Sequence, residues 1–385
     1  MEDINELYAR RAAMMGGDLL IPADSYFMAH RIEIANGVRI LLPEVGWQIP
    51  DMRIQMAYTR GMAKAANIRW GVYYECWGGM GNYGLTIPFS LREGQDEWIE
   101  SQLQRGSGCD RTPEERERGG SSRSLQERAW RYAYLSGATA MGEEYGVCNT
   151  FRNYNDFDLS PYGQVKRDFL RFTEKFPDIG EAYTPFAIVL PADMPIWEID
   201  RGENYLKFPL ADDKKYIPEI KRVVHTLLGR DGKIGNQNHV VKNGGFPDVF
   251  DMIHADQTEA IAKYDYLIDL SNDPAFAKKH SNIVKIEDIG EILDKLLPCS
   301  VSGELHTAYN RTADGWLVYV ANNDGVINEN FEGDKFAPEA AVRSDITVKS
   351  GGINILDGKY GGTPEKNGNT YSVTLGAGDW MMFAL

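Results

Sequence analysis

An α/β fold with a β-rich tail is what this sequence predicts, and three observations predict it. Residues 1–182 alternate short apolar strands with amphipathic helices, the pattern of βα units in a parallel sheet. From about Tyr183 the pattern resets with the buried run Pro185-Phe186-Ala187-Ile188-Val189-Leu190-Pro191, then repeats on a smaller scale as far as Ser300. From Val301 onward Gly, Asn and Thr punctuate short alternating runs, the signature of an antiparallel β-sandwich. The expected parts are therefore 1–182, 183–300 and 301–385.

In the first part, Asp18–Asp24 is a short apolar strand ending in turn chemistry, and Gly37–Trp47 is a second strand closing on Glu44 and Trp47. A helix over 51–66 sets Ile54, Tyr58, Met62 and Ala65 along one stripe. The Arg69–Glu75 strand alternates bulky and small residues, then runs through Cys76 and Trp77 into Gly78-Gly79, which permits a sharp exit turn. Residues 78–122 form a long segment, rich in Gly and aromatics at first and charged later. Loops of that length in a compact domain serve as functional lids or are mobile. The run Glu114–Arg118 reads as a solvated face. Ser124 and Glu127 have the spacing of a capping box, which opens a helix through Leu135 stopped by Gly137. A fourth strand, Ala138–Gly146, ends on Glu143, Glu144 and Tyr145, and Ser160 with Pro161 starts a helix to about Phe176.

The second part is expected to be a small doubly wound unit of flavodoxin-like type. Its strands are Pro185–Pro191, Val249–Ile253, Tyr264–Leu270 and Ile283–Ile286, with helices at Ile217–Leu228 and Glu287–Leu297. No GxGxxG or GxxxxGK[ST] follows any strand, so nucleotide binding has no motif behind it, and a structural or oligomerisation role is the expectation. The tail supplies short strands such as Gly315–Val320, Ser344–Val348 and Thr370–Leu375.

Composition narrows the chemistry. The 385 residues are 43% hydrophobic, enough for real cores, and the net charge of −15 argues against nucleic acid or an anionic membrane surface as the main partner. No apolar run approaches the roughly 18 residues of a membrane span. Cys76, Cys109, Cys148 and Cys299 include no CxxC pair, and the six histidines include no HExxH, so neither a disulfide framework nor a metal site is indicated, and no cofactor is expected. The N-terminus carries no signal-peptide pattern, which leaves localisation open.

Three successive strands end on a carboxylate beside an aromatic: Glu44 with Trp47, Glu75 with Trp77, and Glu144 with Tyr145. Function in parallel barrels gathers at strand C-termini, and paired carboxyls there can cleave glycosidic bonds. Glu75, Glu44 and Glu144 are the candidate catalytic residues. Trp47, Trp77, Tyr83, Tyr145 and Asp24 are candidate substrate-binding residues, because aromatic faces pack on the apolar faces of sugar rings. The same residues fit a plainer reading, as strand-end carboxylates paired with arginines such as Arg39, Arg53 or Arg60, and as packing aromatics. His30 and His254 are expected to make ordinary polar contacts.

A barrel ending, a flavodoxin-like unit and a terminal sandwich in that order resemble the family 42 glycoside hydrolases (β-galactosidases) and related retaining (β/α)8 glycosidases. The residues carrying this are the strand endings above, Leu159-Ser160-Pro161-Tyr162-Gly163, Asn310-Arg311-Thr312 and Gly315-Trp316-Leu317-Val318. The resemblance implies a partial TIM-type barrel of about four βα units, in which Glu75 ends the seventh strand and takes the nucleophile position. It also implies an acid/base at an Asn-Glu ending of the fourth strand, and no such ending precedes Asp18; Asn5-Glu6 lies too near the start. The implied missing half of the barrel would come from another polypeptide or a longer chain, or two copies would pair as a homo-oligomer; alternatively the catalytic pair is drawn from Glu44, Glu75 and Glu144. The function this implies is a retaining exo-glycosidase acting on an oligosaccharide or glycoside. The alternatives are a non-catalytic carbohydrate-binding or accessory protein and an enzyme working in the middle unit.

Overall fold

The structure, a computed structural model, describes residues 6, 9–10, 29–46, 51–75, 122–143, 150–151, 157–159, 161–194, 217–229, 241–329 and 333–385. Its first part is a parallel sheet centred on β3 (Arg69–Glu75). On one side of β3 run β1 (Ile40–Leu41) and β2 (Glu44–Gly46), and on the other runs β4 (Ala140–Glu143). The expected Gly37–Trp47 strand is thus two short pieces. Pro43 between them has no N–H to offer the ladder, while its carbonyl still accepts from the Tyr73 amide at 3.0 Å. Gly71 allows β3 and β4 to lie close, because a Cβ there would collide with the Ala140 carbonyl. The three parallel rows account for three of the four expected strand positions; the fourth, Asp18–Asp24, lies outside the described residues. Among the described residues the sheet does not close into a barrel.

Helix α1 (His30–Ala35) precedes the sheet, and α2 (Met52–Ala66) links β2 to β3. The sequence assigns α2 an apolar stripe, yet every residue from Met52 to Ala63 is buried, polar ones included. The reason is tertiary: α2 lies between two sheets, packing on β1 to β3 and also on the sheet of the second part. Helix α3 (Arg123–Leu135) starts two residues earlier than the capping box requires. Ser122 is the N-cap, its Oγ accepting from the Leu125 amide at 2.9 Å, whereas Ser124 Oγ accepts from Arg128 Nη1 at 2.6 Å. Gly137 ends that helix at φ 95°, as expected. Helix α4 (Pro161–Lys175) follows β4, the third of the acidic strands.

The second part holds β6 (Phe186–Leu190), β7 (Phe250–His254) and β8 (Tyr266–Asp269), parallel in the order β7-β6-β8. All five residues of β6 and of β7 are buried, as continuous apolar runs covered on both faces should be. Around this sheet lie α5 (Ile217–Leu228), α6 (Thr258–Ile261), α7 (Pro274–Lys279) and α8 (Ile289–Leu296). The expected strand at Ile283–Ile286 is not one: Ile283 makes a lone parallel bridge to Leu267, and a 3-10 turn begins at Ile286.

The tail forms two antiparallel sheets. One has the order β15-β18-β11-β10-β5, from β5 (Glu181–Ala182), β10 (His306–Thr312), β11 (Gly315–Ala321), β15 (Asn354–Lys359) and β18 (Trp380–Ala384). The other has the order β16-β17-β14-β9, from β9 (Cys299–Val301), β14 (Val342–Val348), β16 (Gly361–Asn367) and β17 (Thr370–Leu375). Val318, Val320, Met381 and Phe383 of the first share a buried core with Ile346, Val348, Val373 and Leu375 of the second. A separate hairpin joins β12 (Val326–Glu329) to β13 (Gly333–Phe336). The strands β5 and β9 come from the ends of the preceding parts, so the tail is laced to both by backbone hydrogen bonds.

A buried polar seam fastens α2 to β7. Asp251, fully buried, accepts from Arg60 Nε at 2.5 Å, Lys64 Nζ at 2.6 Å, and the hydroxyls of Thr184 and Tyr264 at 2.9 Å each. Burial on its own would raise the Asp251 carboxyl; Lys64 and Arg60 reverse this and hold it below the usual carboxylate range. Gly61, between those two cations, lets the helix approach, since a Cβ there would collide with the Met252 carbonyl. One turn earlier, the Tyr58 hydroxyl donates to His254 Nε2 at 2.9 Å, while His254 Nδ1 donates to the Pro191 carbonyl at 2.9 Å. On α1, His30 bridges Glu33 at 2.6 Å and Thr59 at 2.9 Å.

Candidate functional site

The strand ends of the first sheet were singled out by sequence, and the register places them. Glu44 is level with Tyr73, Gly46 with Glu75, and Glu143 with Tyr74. Glu44, at the head of β2, and the strand endings Glu75 and Glu143 therefore lie near one margin of one parallel sheet, on three neighbouring rows. Adjacent rows are spaced about 4.8 Å apart and successive residues about 3.3 Å along a row. Positions 44 and 75, two residues out of level on adjacent rows, are then roughly 8 Å apart at Cα.

Glu44 is half-buried at the head of β2. Glu75 closes β3 by its backbone, and its side chain lies outside the described set. Glu144, Trp47, Trp77, Tyr83, Tyr145 and Asp24 also lie outside the described residues. The carboxylate that the structure does show at the end of β4 is Glu143, which the sequence reading passed over for its neighbour. Its side chain is nearly buried, ion-paired with Lys166 of α4, and accepts from Gln126 Nε2 of α3 at 2.9 Å. Lys166 also donates to Thr150 Oγ1 at 2.8 Å. A signal for this trio exists in the sequence. Lys166 is four residues from Tyr162 and three from Phe169, both buried, so it sits on the inward stripe of α4, where a lone lysine needs a partner. Glu143 is thereby a positioned anion tying β4 to two helices.

The arginines proposed as partners of the acidic rim go elsewhere. Arg60 belongs to the Asp251 seam, with Asp248 at 3.5 Å as a second carboxylate. Arg53 donates to the Phe246 carbonyl at 3.0 Å, and Arg39 is exposed. Arg53 and Arg60 lie on the α2 face turned to the second part, which the period of the helix alone does not single out. His30 and His254 are interior residues with protein partners on both ring nitrogens, as expected. Burial, helped by Arg31, pushes the His254 imidazole down to about 4, so it is a neutral acceptor at ordinary pH.

Among the described residues, no cluster of His, Cys, Asp and Glu could hold a metal ion, and no helix is long and apolar enough to cross a membrane. A cleft of about 510 Å³ lies between α8, β9, β14 and residues 244–247, with Phe246, Leu293, Leu305 and Tyr309 among its walls and none of Glu44, Glu75 or Glu143.

No protein-family model matches the chain, and no curated protein matches it. Among solved structures, a rhamnosidase from Novosphingobium sp. PP1Y aligns over 92% of this chain at 10% identity with a TM-score of 0.39. A debranching enzyme from Nostoc punctiforme aligns over 93% at 12% identity with a TM-score of 0.17. The chain spans 35% of the length of the first and 60% of the second. At these values the two likenesses establish neither a shared fold nor a shared activity.

Proposed function

We propose that this chain is a glycoside hydrolase, or the C-terminal part of one, in which Glu75 attacks the anomeric carbon of a bound sugar. The observation that carries the reading is the register of the parallel sheet: Glu44 at the head of β2 and the acidic ends of β3 and β4 at 75 and 143 lie on adjacent rows, within two residues of level. Glu75 follows Tyr74 in the chain, Glu144 follows Glu143, and Tyr74 and Glu143 are registered partners. Retaining glycosidases hold their two carboxyls about 5–5.5 Å apart and inverting ones about 6.5–9.5 Å, and neighbouring strand ends supply spacings in that range. In this reading Glu75 forms the glycosyl-enzyme bond. Glu44 or Glu144 donates the proton to the leaving oxygen, unless an upstream segment brings the acid/base. Trp47, Trp77, Tyr83 and Tyr145 follow these strand ends in sequence and would stack on sugar rings, with Asp24 binding hydroxyls. The acidic net charge suits a neutral glycoside.

The use of Glu143 as a structural anion supports a second reading, a carbohydrate-binding protein whose rim carboxylates hold the fold together. Glu75→Gln separates the two. In the hydrolase, turnover of aryl glycosides falls by several orders of magnitude, while the circular dichroism spectrum and unfolding temperature stay at wild-type values. Wild-type turnover in that variant removes Glu75 from the mechanism. Oligosaccharide binding by a wild-type protein that shows no turnover on a panel of aryl glycosides selects the second reading.

A further inference from the structure

Four arginines on α2 and α3 are buried: Arg53, Arg60, Arg128 and Arg131. Two have carboxylate partners, Arg60 with Asp251 and Asp248, and Arg131 with Glu127 at 3.0 Å. Arg53 and Arg128, each 1% exposed, have no carboxylate at ion-pair distance among the described residues. A buried guanidinium is strongly unfavourable unless something pairs with its charge.

These two side chains belong to one cluster at the junction of the three parts. Arg53 Nη2 donates to the Phe246 carbonyl at 3.0 Å, and its Nη1 lies against Gly244, 2.7 Å from where a Cβ would stand. Gly244 bridges to Leu305, the residue before His306. Arg128 Nε donates to Asn323 Oδ1 at 2.8 Å, and the Asn323 amide donates to Asn243 Oδ1 at 2.9 Å, one residue from Gly244. The His306 ring packs between Tyr132, at 4.3 Å between centroids, and Tyr319, at 6.0 Å. Two carboxylates lie on the Arg128 side: Glu127 is paired with Arg131, and Asp334 is occupied by the backbone N–H groups of Arg123 and Ser124.

Within this cluster the buried polar atoms without a partner are mostly donors: Arg53 Nε and Nη1, Arg128 Nη2 and Asn323 Nδ2, together with the Tyr319 hydroxyl and His306 Nε2. Two positive charges and a set of idle N–H groups call for an acceptor that carries negative charge. We propose that Arg53 and Arg128, with Asn323 and His306, form a buried binding site for a small inorganic anion of chloride to phosphate size, which locks the three parts together. Burial, with Arg53 and Arg128 nearby, also holds the His306 imidazole well below its ordinary value, so the ring is neutral and adds no charge of its own.

The test uses the full chain exchanged into sodium gluconate buffer, titrated with sodium chloride or sodium phosphate at constant ionic strength, with the unfolding temperature as readout. The site predicts a saturable rise with at least one of these anions, and the two arms identify which size fits. Arg53→Met and Arg128→Met should each abolish the rise, whereas Arg128→Lys, which keeps the charge, should retain it at higher anion concentration. No rise above the gluconate control in the wild type, or an undiminished rise in both methionine variants, overturns the proposal and leaves ordered water as the partner of these donors. Should both methionine variants fail to fold, crystals of the wild type grown in the anion that gave the rise, bromide standing in for chloride, decide. Density for that anion between the two guanidiniums upholds the site, and its absence refutes it.

Discussion

Replacing Asp251 with alanine is the sharpest test of how α2 is held. Asp251 is fully buried on β7 and collects four donors, two of them cations on consecutive turns of α2. Removing its carboxylate leaves the Arg60 guanidinium, 2% exposed, with the Phe250 carbonyl at 2.9 Å and the Asp248 oxygen at 3.5 Å. Breaking one side of a buried pair costs about 3–5 kcal/mol. Lys64 adds little to this, since 41% of its side chain is exposed and water can take over its charge. At roughly 2–4 °C per kcal/mol for a cooperative unit of 150–250 residues, the unfolding temperature should fall by roughly 6–20 °C. The assay is differential scanning calorimetry beside urea unfolding followed by tryptophan fluorescence. The double variant Arg60→Met with Asp251→Leu should recover most of the loss, because neither charge then stays buried alone. A loss below about 1 kcal/mol for Asp251→Ala would falsify the claim that this seam fastens α2 to the second sheet.

Three further outcomes are expected. Gly61→Ala adds a methyl group that meets the Met252 carbonyl, so despite alanine's better helix propensity of about 1 kcal/mol it should destabilise by about 1–3 kcal/mol; a more stable variant would mean that helix and strand can separate freely. Ser122→Ala removes the cap on the Leu125 amide and should lower stability by about 1 kcal/mol; a urea midpoint unchanged from wild type would refute Ser122 as the cap. The third concerns pH. His254 is held neutral when folded, with its value near 4 against about 6.5 unfolded, so the unfolded chain binds the extra proton. Its contribution is present above pH 6.5 and is lost as pH falls from there towards 4, and His306, also pushed down, adds to the same loss. Asp251 works in a lower window, its contribution being present above the ordinary aspartate value of about 3.9 and lost below it. An unfolding temperature that stays flat between pH 7 and 4.5 would contradict the histidine assignment, and His254→Gln should flatten the upper part of the curve.

Much of the local structure is legible in the chain. The apolar runs at Phe186–Leu190 and Phe250–His254, the alternation in Thr370–Leu375, and the stop at Gly137 each follow from a period or a backbone preference acting over a few residues. The acidic strand endings are legible for the same reason, and the parallel register sets them on neighbouring rows. What local pattern could not give is the partner of the acid that ends β4. Glu143 meets Lys166 and Gln126, a placement made by helices that pack on β4 from elsewhere in the chain. The cap at Ser122 was missed similarly, because Ser124 is drawn off by Arg128, whose own position depends on Asn323 in the tail.

The sequence by itself determined the order of sheet types, the helices between them and the acidic endings of the first strands, because side-chain period and turn chemistry act locally. Only the tertiary structure decided that α2 is enclosed between two sheets. Its arginines thereby turn away from the acidic margin, Arg60 to aspartates of the second part and Arg53 to a cluster with the tail. The physical reason is desolvation: a buried cation takes whatever acceptor the packing brings within reach, and residues nearly 200 positions away supply it.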